Sequence, residues 1–455
     1  MFLNLFLKEC KMLGKNILYI AFAVILLLFY TSQYESDTYS EIKEVKTGNR
    51  ESGSENYKVI NPLIAPKESD GFYGNKAAEI PEQVMPRVIC QLYVEARFNS
   101  YEAYPYGFFK SVKLNAKKQA RVSEIFKELT GYTVDEITAQ LKDIEIKKIQ
   151  SWGNTEKQAD EIYKVLSKAI VRSMGYEEYI PMNKDLTYER FKGLMVELED
   201  MIGAMSAYSN LERYGSVEVT YEEALTEYEN LVQKDHVSGA YARLFCDYMG
   251  IVMAFFPVFV VVAYALKDKR AKMQELIYSR KETSICIVGS RQLALVVMMF
   301  VPVLLLAAVS TVELFIGVKP LGVPFDWLAF MKYSIIMVLP TLLVTVGLGY
   351  FMTELTQSAI GIAVQGVIWF LCIAGTQLSG DYSYSLIIRH NIVGEYDLFT
   401  AAMKAIAVNR IGYTLLALGL FFITVILFGL KRSGRWYAKR KPYKVSHNNK
   451  KEFLD

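Results

Sequence analysis

The chain has 455 residues, of which 52% are hydrophobic, and its formal net charge is only +3. The charge gives no general sign of a nucleic-acid partner, and five cysteines without paired spacing argue against a zinc site or a disulfide framework. Three histidines far apart in the sequence (His236, His390, His447) argue against a histidine-based metal or catalytic cluster.

Residues 1–15 are predicted to form an amphipathic helix. At 100° per residue, one arc is apolar and the opposite arc is polar, which is typical of a helix that lies in a membrane interface with its lysines toward anionic headgroups. A basic leader before a membrane anchor is the alternative. The apolar arc holds Phe2, Leu3, Phe6, Leu7, Cys10 and Leu13, and the polar arc holds Asn4, Lys8, Lys11 and Lys15.

Residues 16–33 form an uncharged run that is long enough to cross a bilayer as the first span. No small-residue cleavage site follows it, which favours an uncleaved helix over a signal peptide. Three lysines precede the span, so we expect a cytoplasmic N-terminus and an outside position from residue 34 onward.

Residues 34–243 contain no membrane-length apolar run and are predicted to form a mainly helical extracellular domain. Capping boxes at Thr155–Gln158 and Thr220–Glu223 open two of its helices, and two other periodic stretches end near Gly131 and Gly203.

The second half of the chain supplies five more predicted spans: 244–266, three within 292–377 (293–318, 328–351 and 359–377), and 411–430. Six spans place both termini inside, as in a multi-pass protein of the plasma membrane. The inside segments 1–15, 267–291 and 431–455 carry three, seven and nine Lys and Arg residues, against four in the short outside loops 319–327 and 378–410, which is the expected asymmetry. The overall fold class is therefore an all-α polytopic membrane protein.

Two segments near the C-terminus have predictions of their own. The outer loop 378–410 is half apolar with turn residues Asn391 and Gly394 in its middle, which favours two short re-entrant helices. Within it, Arg389 and His390 are candidate substrate ligands, although a contact with lipid headgroups is the more ordinary reading. The basic tail 431–455 is explained by anchoring to an anionic leaflet.

The sequence contains no motif of an active site. A GxxxxGK[ST] phosphate loop, HExxH, GxSxG and kinase signatures are all absent, and the few acids in or near the spans (Asp247, Glu313, Glu354) form no relay at the membrane centre. We therefore expect a chain that is not an enzyme, with no catalytic residue, metal or bound cofactor.

The cytoplasmic segment 267–291 is more patterned than a plain turn. The charges Lys-Asp-Lys-Arg at 267–270 mark the end of the second span, and Met273, Leu276, Ile277 and Arg280 then recur at helical spacing. This arrangement resembles the permease subunits of type-2 ABC exporters, in which a short coupling helix after the second span often reads Glu-Leu-[Leu/Ile]-Tyr-Ser. Glu275, Leu276, Ile277, Tyr278 and Ser279 match that pattern.

The resemblance implies a transport subunit that docks Met273–Arg280 into a separate ABC-type ATPase, which would bind the ATP and Mg. It also implies an interfacial N-terminal helix, six spans, re-entrant helices between the last two spans, and pairing with a second permease subunit as a homo- or heterodimer. The insert at 34–243 departs from compact members of the family. An apolar pathway would suit a lipid, glycolipid, hydrophobic peptide or drug.

Two other classes of protein remain open from the sequence. A membrane-anchored sensor would use 34–243 as its ligand-binding domain, but no signalling linker or effector domain follows the last span. A membrane enzyme would need paired acid/base or nucleophile motifs, which do not occur. Besides the ATPase subunit and the second permease subunit, the expected partners are membrane lipids, and a nucleic-acid partner is not expected.

Overall fold

The structure is a computed structural model that describes residues 2–35, 51–52, 59–60, 62–104, 110–203, 205–373, 384–389, 393–394 and 396–436. The chain is mostly helical with little sheet, as predicted for its class. The first nine helices are α1 (Phe2–Leu13), α2 (Ile17–Phe29), α3 (Pro81–Phe98), α4 (Ala116–Thr130), α5 (Val134–Ser151), α6 (Glu156–Lys164), α7 (Lys168–Ser173), α8 (Tyr188–Ile202) and α9 (Tyr221–Tyr228). The others are α10 (Ser238–Met253), α11 (Pro257–Ala265), α12 (Lys267–Arg270), α13 (Gln274–Tyr278), α14 (Ser284–Val318), α15 (Ala329–Tyr333), α16 (Leu339–Thr356), α17 (Ile360–Ile373) and α18 (Tyr396–Arg432).

The chain forms two compact units. Unit 1 comprises Met1–Asn49, Glu229–Cys372 and Gln377–Asp455, and unit 2 comprises Arg50–Tyr228 and Ile373–Thr376. Unit 2 is narrower than the predicted domain at 34–243, because residues 34–49 and 229–243, which include the π-helical segment Glu229–Lys234, belong to unit 1. There Asn230 and Lys234 bind the Asp397 carboxylate at 3.1 and 3.2 Å, which ties this segment to the start of α18.

Unit 2 is a helical domain with three small antiparallel sheets among its described residues. Helices α3 to α8 share one apolar core, in which Tyr93, Phe126 and Phe191 are fully buried. The predicted helix ends are confirmed, since both capping boxes form their hydrogen bonds and Gly131 and Gly203 end α4 and α8. The strand pairs are β1–β2 (Glu51–Ser52, Val59–Ile60), β3–β6 (Asn75–Ala77, Ser216–Glu218) and β4–β5 (Tyr101–Ala103, Lys110–Val112).

Five helical segments of unit 1 are long and apolar enough to cross a membrane: Ile17–Glu35, Ser238–Arg270, Ser284–Leu321, Ala329–Thr356 and Tyr396–Arg432. They overlap the first, second, third, fourth and sixth predicted spans. The predicted fifth span, 359–377, is represented by α17, which has 14 residues and is shorter than the others. Residues 374–377 of that prediction lie outside the described residues. Among the described residues, the structure thus supports five candidate spans and leaves the predicted fifth span untested.

The predicted pair of re-entrant helices at 378–410 differs from the structure. Residues 396–410 belong to α18, one continuous helix of 37 residues that also contains the whole of 411–430. Gly394 lies two residues before this helix begins, so among the described residues it does not separate two helices. The described residues 384–389 are not helical, and 378–383, His390 and Asn391 lie outside the described part of the chain.

The second candidate span is broken between α10 and α11. Pro257 begins α11 and cannot supply an amide hydrogen to the preceding turn, so carbonyls near the break lack their helical partner. Two side chains of α17 fill that role: Gln365 donates to the Ala254 carbonyl at 2.5 Å and the Trp369 indole donates to the Ile251 carbonyl at 3.0 Å. The break is therefore stabilised by the neighbouring helix, as apolar surroundings require.

Candidate functional site: the loop at residues 267–291

The loop at residues 267–291 consists of two short helices and the first turns of a long one. Lys272 separates α12 from α13 with a left-handed backbone (φ 56°) that a side chain adopts at some cost. Thr283 then caps α14 by accepting a hydrogen bond from the Cys286 amide. Because α13 has only five residues, it is not a stable helix by itself and depends on contacts from elsewhere in unit 1.

A first attachment joins the loop to the N-terminal helix. Glu9 is buried on the face of α1 that packs along α14, and its carboxylate lies 2.7 Å from Lys267 Nζ and 3.3 Å from Arg291 Nε. The Tyr264 hydroxyl also donates to Glu9. Arg291 in turn binds Asp268 at 2.7 Å, so both ends of the loop meet at one carboxylate of α1.

The charge state of Glu9 follows from these neighbours. Burial raises its pKa, but the charge and hydrogen bond of Lys267, the hydrogen bond of Tyr264 and the charge of Arg291 outweigh burial, so the pKa lies below its usual value. Glu9 is thus an anion at neutral pH and neutralises one of two adjacent cations. A buried charge group of this kind fixes the geometry of its elements more than it adds stability, because desolvation offsets most of the attraction.

A second attachment holds the loop against the turn after α16. Lys269 donates to the Gln357 carbonyl at 2.7 Å, and the Gln274 side chain donates to that of Gln357 at 2.9 Å. Gln357 has the left-handed backbone that commonly ends a helix (φ 56°). Next to it, Glu354 pairs with Lys431 at 2.9 Å, which links this turn to the end of α18.

A third attachment comes from Arg432, the last residue of α18. Its Nε donates to the Tyr278 carbonyl at 2.9 Å, and its two terminal nitrogens donate to the carbonyls of Glu282 and Arg280. One guanidinium therefore satisfies the last carbonyl of α13 and two carbonyls of the turn that follows it, a position where a cation is favourable. The Tyr278 ring packs edge-on against Phe428 with centroids 5.4 Å apart.

The seven predicted docking residues point in two directions. Met273 and Leu276 are 52% and 60% exposed, and Glu275, Ser279 and Arg280 are exposed beside them. Ile277 is buried, and Tyr278 is half-buried against α18, where burial raises its pKa to about 12. Only the exposed five can meet a partner in this conformation, whereas Ile277 and Tyr278 support the loop from inside.

The predicted interfacial residues all lie on α1. Leu3 and Leu7 are more than half exposed, Phe2 is exposed, and Phe6 is half-buried. Lys8 and Lys11 are exposed. The buried residues of α1 are Glu9 and Leu13. Sequence reasoning missed Glu9, Arg291 and Arg432 as loop contacts. The contacts of Glu9 with Lys267 and Arg291, and those of Arg432 with the loop, join residues 150 or more positions apart, so no local pattern reveals them.

A second polar cluster surrounds Arg410 in the middle of α18. The Arg410 guanidinium is buried and donates to the Met337, Ser385 and Leu386 carbonyls at 2.8–3.2 Å, to Thr341, and to Asn409. It thereby fastens the non-helical segment 384–389 to α16. All of its acceptors are neutral, and every nitrogen of the guanidinium donates a hydrogen bond to one of them. Arg410 therefore acts as a clamp between segments rather than as an open anion site. Arg389, the predicted substrate ligand, lies at the end of this segment.

The five apolar helical segments identify the chain as a multi-pass helical membrane protein. Within the part of the chain that the structure describes, no group of His, Cys, Asp and Glu side chains could hold a metal ion. Comparison with protein-family models, curated proteins and solved structures gives no match.

Proposed function

We propose that the chain is the membrane subunit of an ATP-driven ABC exporter, in which the exposed side of residues 273–280 docks on a separate ATPase subunit. The observation that carries the proposal is that the loop at 267–291 has an exposed apolar face and is also firmly attached to other helices of unit 1. Met273 and Leu276 face outward, while the same loop is bonded to α1, to the turn after α16 and to the end of α18.

This arrangement suits an element that receives force. A loop that moved independently of the spans would absorb a displacement, whereas three attachments pass it to helices at both ends of the chain. The apolar pair Met273 and Leu276 would fill a pocket of the partner, and Glu275 and Arg280 would form charge pairs at its rim.

The remaining parts of the proposal come from the resemblance of residues 275–279 to the coupling-helix pattern. ATP and Mg would be bound by the partner, and two permease subunits would pair around the pathway. The termini and the loop 267–291 would be cytoplasmic, and unit 2 extracellular, in agreement with the distribution of Lys and Arg. The cargo would be amphiphilic or hydrophobic, because the helices that would line its path are apolar.

The test is recovery of a complex. The tagged chain is co-expressed with each ABC-type ATPase subunit of its own genome, and the bound subunit and its vanadate-sensitive ATPase activity are measured. Leu276→Asp places a charge in the proposed contact and should reduce recovery about tenfold or more, since burying an unpaired carboxylate costs at least 1.4 kcal/mol.

Val165→Asp is the matched control. Val165 is 76% exposed in unit 2, so the substitution makes the same chemical change at a surface that the proposal leaves free. Both variants should elute as single species in detergent, because neither side chain is part of a core. The docking assignment is refuted if no ATPase subunit co-purifies with the wild type, or if Leu276→Asp and Val165→Asp recover it equally.

A further inference from the structure

Unit 2 carries an open groove of about 490 Å³ along one face of α8. Lys192, Met195, Val196 and Glu199 line it from the helix, at the spacing of one helical face, and the segment 208–212 forms the opposite wall. This volume falls within the range of about 300–1,000 Å³ that is typical of ligand sites.

The base of the groove is apolar and fixed in place. Met195 and Leu211 are buried there, while Val196 is 60% exposed on the wall. Tyr208 lines the base as well, and its hydroxyl donates to the fully buried Glu95 carboxylate at 2.6 Å. A bound molecule would therefore meet a preorganised surface.

The rim of the groove is acidic. Lys192 is the one cation among its lining residues, and it is occupied by Glu79 at 3.7 Å and by Glu189 at 3.3 Å. Glu199 and Glu212 form no ion pair with any residue that the structure describes. Two carboxylates thus remain available beside an exposed apolar side chain.

We propose that this groove binds a short cationic amphipathic peptide segment. Its leucine-like side chains would cover Val196 and the base, and its lysine or arginine side chains would reach Glu199 and Glu212. Residues 192 to 199 rise about 10 Å along α8, which matches two turns of a bound helix or about three residues of extended chain. The inference concerns unit 2 alone and does not depend on the ATPase partner.

The experiment uses the full-length protein in an uncharged detergent. Fluorescence anisotropy follows the binding of labelled, end-blocked peptides of about eight residues, built from leucine with lysine, with serine or with glutamate. The leucine–lysine peptide should bind saturably and more tightly than the other two. The double variant Glu199→Gln/Glu212→Gln should raise its Kd about 2- to 30-fold, because two exposed charge pairs are lost.

The matched control is Asp160→Asn/Glu161→Gln, which removes the same charge from exposed positions on α6 and should leave Kd unchanged. Glu199→Lys should weaken binding of the lysine peptide and strengthen that of the glutamate peptide. The inference is overturned if the wild type shows no saturable binding up to about 1 mM, if the control pair weakens binding as much as the groove pair, or if the serine peptide binds as well as the lysine peptide.

Discussion

Replacing Glu9 by glutamine removes the charge that holds α1 to the loop at 267–291. The variant keeps the shape of the side chain but leaves Lys267 and Arg291 close together without their shared anion. Breaking a fully buried pair costs about 3–5 kcal/mol. The Lys267 side chain is 26% exposed and Arg291 keeps Asp268 at 2.7 Å, so we expect a smaller cost of about 2–3 kcal/mol.

Hydrogen exchange of the α1 amides measures this cost directly. If α1 opens as a unit, a loss of about 2–3 kcal/mol accelerates exchange across residues 2–13 by about 30- to 150-fold. Amides of unit 2 should exchange as in the wild type. Lys11→Gln is the matched control, because Lys11 is exposed on the same helix and takes no part in the ion group. Exchange within threefold of the wild type in Glu9→Gln would refute the assignment of Glu9 as the anchor of α1.

Two further predictions concern Arg410 and Glu95. Arg410→Lys should accelerate hydrogen exchange at residues 386–388 nearly as much as Arg410→Met. The reason is that a single ammonium cannot bridge carbonyls on two segments as the guanidinium does. Wild-type protection in the lysine variant would contradict the role of Arg410 as a clamp. Burial raises the pKa of Glu95 although Tyr208 and Lys168 oppose it, so the folded state binds a proton more readily than the unfolded state. Glu95 should therefore add stability to unit 2 as the pH falls from 7 toward its unfolded pKa of about 4.3, whereas carboxylates with a lowered pKa, such as Glu102 and Glu197, lose stability over the same range. Thermal unfolding should show that the stability of the wild type relative to Glu95→Gln increases as the pH falls; a difference that does not change with pH would contradict the prediction.

Local signals in the sequence predicted the helices of unit 2 well. Capping boxes at Thr155 and Thr220 and glycines at 131 and 203 act within a few residues of the helix ends that they fix, so no tertiary information is needed. The five candidate spans could also be predicted from the sequence, because the length and apolar content of a segment decide whether it can cross a membrane.

The sequence was less informative where tertiary contacts decide the structure. The turn residue Gly394 was interpreted as the middle of a helical pair, but the apolar stretch after it continues into the final helix without a break. The periodicity of residues 273–280 predicted a short helix, yet it did not tell which side faces inward. That direction is set by Arg432 and Phe428, more than 130 residues later in the chain.

The attachments of the loop at 267–291 also determine the order in which its contacts can form while the chain is being synthesised. Glu9 and Lys267 are 258 residues apart. At a synthesis rate of about 5–20 residues per second, Lys267 is therefore made on the order of 10–50 s after Glu9. Arg432 emerges another 154 residues after Tyr278, and only then can the end of α13 be capped. A chain that stops short of the final helix would display the segment 273–280 without its support. The finished surface is thus presented only after Arg432 has been made.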